Sequence, residues 1–186
     1  MVRIYYYDND TTTDPRAPHV LPGHADLTER DLATTGVLYW RVPIAADGRA
    51  HLTEIDRISA ERGYKNRDQI CVAPGRLPEY ETKIKSFFDE HLHEDEEIRY
   101  ILGGSGFFDV RDDKDRWVRV AVQAGDLLVL PAGIYHRFTT DEKNYIEAMR
   151  LFKDEPKWTP LSRSIPATDK VPSRAEYLAT IAPASH

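Results

Sequence analysis

Cysteine is nearly absent from this 186-residue chain, where Cys71 stands alone. One thiol excludes an intramolecular disulfide and any zinc site built from two or four cysteines. Cys71 itself is expected as a small buried hydrophobe. Long apolar runs are missing too. The longest, residues 127–135, is nine residues and is broken by Pro131 and Gly133, against the ~20 residues of a membrane helix. The opening MVRIYYYDND lacks the apolar core of a secretory leader. A soluble intracellular protein is therefore expected, in the cytoplasm, with the nucleus as the second compartment considered. Positive charge is in deficit: 25 Lys and Arg face 31 Asp and Glu, for a formal charge of −6. That balance lacks the basic footprint of a nucleic-acid binder and gives no attraction to an anionic membrane. What is left for metal chemistry is nitrogen and oxygen: seven histidines and many carboxylates.

The length suits one domain, and 19 aromatic residues spread along the chain argue against disorder. Three textures succeed one another within a single domain, residues 1–186. Residues 1–90 are mixed. Strands are expected at 2–7 and 37–42, and helices at 28–33, 52–62 and 78–90. Thr28 and Asp31 suit a capping pair. Pro78 suits a first helical turn. Tyr80, Ile84, Phe87 and Phe88 make an apolar helical face. Residues 91–152 read as strands at 98–102, 106–111, 117–123, 126–130, 136–140 and 144–152. Their separators are turn material, including Gly103-Gly104-Ser105 and Pro131-Ala132-Gly133. Short strands at this spacing predict an antiparallel sandwich or barrel. Residues 153–186 are proline-rich, with a helix at 173–181, and read as a tail that wraps the domain.

The chemistry concentrates in His91-Leu92-His93-Glu94-Asp95-Glu96-Glu97 and in Pro131-Ala132-Gly133-Ile134-Tyr135-His136. In extended chain, residues i and i+2 point to one side, so His91 and His93 can aim two imidazoles at one point. The run 94–97 offers a carboxylate, with Glu97 in the matching parity if no bulge intervenes. His136, from another strand, can complete the set. Singly, these features are ordinary: a His-x-His pair or an acidic run is usually solvated. Together they suit a divalent iron, nickel, manganese or zinc ion. Four protein ligands leave two octahedral positions open, which is a catalytic arrangement.

These two stretches resemble the two cupin motifs. The first is matched at His91, His93, Glu97 and Gly104, and the second at Gly125, Pro131, Gly133 and His136. The chain departs at Lys85 and Thr140, where the motifs carry glycine and asparagine. The wider segments HLHEDEEIRYILGGSGFFD and GDLLVLPAGIYHRF, Met149–Phe152 and the Trp158-Thr159-Pro160 tail resemble the acireductone dioxygenases of methionine salvage over about residues 1–180. The resemblance implies a cupin (jelly-roll) fold, mainly β. It implies one Fe²⁺ or Ni²⁺ ion on His91, His93, Glu97 and His136. It implies 1,2-dihydroxy-5-(methylthio)pent-1-en-3-one and O₂ as substrates. With iron, such enzymes form 4-methylthio-2-oxobutanoate and formate; with nickel, 3-methylthiopropanoate, formate and carbon monoxide. Arg99 and Arg150 then match catalytic pocket arginines that also bind substrate, and Phe87 and Phe138 match aromatic pocket positions.

Charge supports the arginines. A divalent ion, three neutral imidazoles and one carboxylate sum to +1, and an enediolate dianion leaves −1. Burying that excess calls for a cation. Arg99 shares the parity of Glu97, and Arg150 lies in the last strand with Ile146 and Ala148. His19, His24, His51 and His186 have no partner at useful spacing and are expected at the surface. A monomer is expected, since no exposed apolar stripe stands out. Three rivals remain at this point: another three-His, one-Glu cupin dioxygenase or sugar isomerase, a non-enzymatic metal-binding cupin, and a plain β-sandwich interaction domain.

Overall fold

A computed structural model describes residues 2–155 and 157–181. The strands, in chain order, are β1 (Arg3–Tyr6), β2 (Leu38–Arg41), β3 (Asn66–Val72), β4 (His91–Leu92), β5 (Glu97–Arg111), β6 (Trp117–Gln123), β7 (Asp126–Leu130), β8 (His136–Thr140), β9 (Ile146–Phe152) and β10 (Leu161–Ser162). The helices are α1 (Glu29–Ala33), α2 (Ala50–Arg62), α3 (Tyr80–Phe88) and α4 (Pro172–Ile181). A short 3₁₀ turn covers Thr168–Lys170.

Strand β5 organises the fold. Its first half pairs with β7 and β9, which extend to β2 and β3; its second half pairs with β6 and β8, which extend to β1, β4 and β10. All pairings are antiparallel. Two sheets thus share one strand, and residues from both line a common cavity, so the sheets face each other. Alternation along β5 sets the layers. Ile98 and Tyr100 join Leu127, Val129, Met149 and Leu151 under Ile55 and Ile58 of α2. Ile101 belongs to the opposite core, with Phe108, Val120 and Ala148. Strand β7 is buried throughout because each of its faces meets one of these cores.

The strands expected at 117–123, 126–130 and 136–140 form with those bounds. Helix α1 carries the expected reciprocal cap: Asp31 N–H donates to Thr28 Oγ1 at 3.2 Å, and Thr28 N–H to the Asp31 carboxylate at 2.8 Å. Helix α2 starts at Ala50, where Asp47 accepts from the N–H groups of Arg49 and Ala50.

Four expectations need correction. Gly103-Gly104-Ser105 is no turn: it is a bend inside the 15-residue strand β5. Register slips between Ile101 and Gly103, and Gly104 takes φ +70° where a Cβ would overlap the Tyr145 carbonyl. Glycine lets the strand leave one sheet and enter the other without a break. Pro78 lies outside α3, because Glu79 precedes it as a left-handed cap at φ 55°. Strand β3 was not foreseen, since Asn66-Arg67-Asp68-Gln69 shows no apolar alternation. Cys71 is half-buried and not a core residue. In the tail, β10 pairs with β4, Ser162 lying opposite His91.

Candidate metal centre

Strands β4 and β8 bring two histidines face to face, with His91 opposite His136 in the ladder. Their ring centroids are 4.5 Å apart, and His93 stands 5.1 Å from His91. The Pro131–Gly133 turn fastens this edge: Gly133 N–H donates to the His93 carbonyl at 2.9 Å. Glu97 opens β5, and the chain between His93 and Glu97 bends out of strand geometry. The carboxylate still reaches the centre, 3.0 Å from His93 Nε2 and 3.5 Å from His136 Nε2. One ligand atom from each of His91, His93, Glu97 and His136 lies within 4.8 Å of every other.

The protonation states suit a cation. His91 Nδ1 lies 2.6 Å from the Asp89 carbonyl and His136 Nδ1 3.0 Å from the Ile134 carbonyl. A carbonyl only accepts, so each Nδ1 donates, which leaves Nε2 as the ligand atom. His136 Nε2 is buried without a hydrogen-bond partner. Burial, reinforced by His136, pushes the His91 imidazole down to about 3. Burial opposes ionisation of Glu97. Arg99 and the facing imidazoles of His136 and His93 outweigh it and hold the carboxyl well below its usual range. Three converging imidazoles and an ionised carboxylate form a donor set for a divalent metal.

The surrounding cavity, about 270 Å³, has two characters. Ile70, Val72, Ile101, Phe108, Ile146 and Ala148 build an apolar floor. Phe87 and Phe138 also line it, their ring centroids 6.2 Å apart. Arg99 supplies the polar side, with Nη2 3.4 Å from Glu97. Arg150 also lines the cavity, and Asp68 engages its Nε and Nη2. Asp95, Glu96, Lys153, Lys157 and Trp158 line the cavity too. The acidic run is not a solvated turn. Glu96 accepts from Arg62 and from the Tyr64 hydroxyl at 2.7 Å each, and Asp95 accepts from Lys157 N–H at 2.6 Å. These bonds fix the segment that carries Glu97.

Two histidines expected at the surface are buried. His19 bridges the Asp8 carboxylate and the Asp14 carbonyl and stacks on Tyr7. His51 accepts from Ala45 N–H and packs near Tyr100. His24 is exposed as expected, and His186 lies outside the described residues. Asp68, Ile70 and Val72 were missed because β3 was missed; the alternation of Ile70 and Val72 was their only signal. Thr140, at the departure from the second motif, is buried and shares a hydrogen bond with the Tyr80 hydroxyl at 3.1 Å.

Comparison with known proteins agrees with this geometry. The model of the ARD/ARD' family matches residues 3–160. Acireductone dioxygenase of Neurospora crassa is 52% identical over 95% of this chain and 94% of its own. That of Branchiostoma floridae is 53% identical over 97% and 98%. That of Rattus norvegicus is 51% identical over 96% of each. The structure of acireductone dioxygenase from Bacillus anthracis with a cadmium ion in its active centre superposes with a TM-score of 0.69. The match covers 87% of this chain and 98% of that one at 24% identity, and it carries the fold: a cupin. The chain belongs to the ARD/ARD' family.

Proposed function

We propose that this protein is a metal-dependent dioxygenase that cleaves acireductone, 1,2-dihydroxy-5-(methylthio)pent-1-en-3-one, with O₂ in methionine salvage. One observation carries the reading: an open three-His, one-Glu cluster at the end of a cavity with a cationic side and an apolar floor. A sequence about half identical, nearly end to end, to acireductone dioxygenases supports it. The ion is Fe²⁺ or Ni²⁺, held by His91, His93, Glu97 and His136. A divalent ion there supplies a Lewis acid and a template that keeps the enediolate beside O₂.

The chain's own residues do the rest. Arg99 faces the enediolate oxygens with a guanidinium that stays charged at any working pH. Arg150 adds a second donor edge from β9. Phe87 and Phe138 receive the methylthio end, which has no polar group to satisfy, and the apolar floor keeps water away from it. The direction in which the substrate's oxygens meet the centre decides the products. Iron is expected to give 4-methylthio-2-oxobutanoate and formate. Nickel is expected to give 3-methylthiopropanoate, formate and carbon monoxide. Each set contains the atoms of acireductone plus one O₂.

His93→Ala tests the reading. Metal-free wild type should bind one equivalent of Fe²⁺ or Ni²⁺ and then consume the enediolate under air, followed by its absorbance. The variant should lose both binding and turnover. Full turnover without metal, or with His93→Ala, refutes it.

A further inference from the structure

Strand β3 puts Asp68 on the side of Ile70 and Val72, two residues of the cavity floor. Across the ladder Asp68 faces Arg150, and Arg150 faces Arg99 on β5. Three charges therefore sit in one row: carboxylate, guanidinium, guanidinium. Like charges directly opposite on neighbouring strands repel. Asp68 answers Arg150 with both oxygens, Nε to Oδ1 at 2.7 Å and Nη2 to Oδ2 at 2.5 Å. Such a fork fixes the plane of a guanidinium as well as its position. It leaves Nη1 as the donor edge for a ligand. Arg150 also packs beside the edge-to-face pair of Phe152 and Trp158, with ring centroids at 5.6 and 5.5 Å from its guanidinium. Both rings also line the cavity.

We propose that Asp68 is a positioning residue for substrate: it holds Arg150 at the cavity in the orientation that presents Nη1 to a dianion. This rests on the reaction proposed above. A divalent ion with Glu97 contributes +1 and Arg99 contributes +1, while Arg150 with Asp68 contributes nothing. The sum of +2 meets an enediolate at −2. Without Asp68 the sum would be +3, which by charge alone attracts a dianion more, so what is lost is the orientation of Arg150 that presents Nη1.

The test is Asp68→Asn, which keeps the side chain's size, in metal-loaded enzyme. KM for acireductone should rise about 3- to 10-fold, the value of a charge-assisted bond in a partly exposed pair. Because Arg150 meets substrate and transition state alike, kcat should stay within about twofold. Anaerobic titration with acireductone should show the same loss of affinity. Asp68→Glu should recover part of the loss. In an Arg150→Ala background, Asp68→Asn should add nothing further. An unchanged or lower KM in Asp68→Asn, no recovery with Glu, or an equal loss without Arg150 overturns the role of Asp68. Wild type that binds metal yet consumes no acireductone overturns instead the functional reading on which it rests.

Discussion

Replacing Arg119 with methionine is expected to destabilise the protein by about 3–5 kcal/mol, the cost of stranding a buried charge. Arg119 is fully buried on β6. It donates to both oxygens of Asp109 at 2.7 and 2.9 Å, and its Nη1 reaches the carbonyls of Ala17 and Pro15 at 2.8 and 3.1 Å. Its guanidinium lies 4.4 Å from the ring centroids of both Tyr7 and Phe107. Methionine would fill part of the space and none of the bonds. Asp109, 1% exposed, would keep only Arg137, at 2.8 Å on one oxygen. Asp109→Asn should cost a similar amount, since it leaves two guanidiniums facing each other without a carboxylate. The double variant should cost about 2–3 kcal/mol less than the sum of the two single ones, the coupling of a contacting pair. Urea unfolding of all four proteins measures this. Additive losses, or single losses below about 1 kcal/mol, would refute the reasoning by placing the cluster among surface ion pairs. Activity per folded molecule at 25 °C should be unchanged, because Arg119 lies outside the cavity.

Gly104→Ala should destabilise by more than the ~1 kcal/mol of a left-handed alanine, because the new methyl meets the Tyr145 carbonyl; a stability within 0.5 kcal/mol of wild type would contradict the bend in β5. The metal-free protein should lose about 2 kcal/mol through His91 between pH 7 and pH 5. Its folded imidazole is pushed down to about 3, so below pH 6.5 the unfolded chain takes up a proton that the folded chain refuses. That share of stability is present above pH 6.5 and gone near pH 3. Metal-free His91→Asn should therefore show the shallower pH dependence in urea unfolding, and an equal slope would rule the mechanism out.

The β half could be read from the sequence where local signals agree. Strands β6, β7 and β8 are apolar or β-branched runs between turn residues, and their bounds came out as expected. Two failures have one cause: the deciding partner is distant in sequence. Gly103-Gly104 looks like a turn until Tyr145 is brought against it. Asn66–Val72 looks like loop until seven residues of β9 pair with it. The centre followed the same rule. The spacing of His91 and His93 and the parity of Arg99 are local signals, and all three side chains line one cavity. Asp68 is invisible because its meaning comes from Arg150, 82 positions away. His19 and His51 misled for the opposite reason: a histidine with no metal partner can still be buried by its hydrogen bonds, as these are.

The central claim is that the four converging ligands make this protein an oxygenase of acireductone. The most direct measurement is O₂ uptake by metal-free protein given acireductone, before and after one equivalent of Fe²⁺. The account predicts no uptake above the uncatalysed rate before the addition. Afterwards it predicts rapid uptake of one O₂ per acireductone, with one formate formed. The same slow uptake on both sides of the addition, with iron shown to be bound, would contradict it.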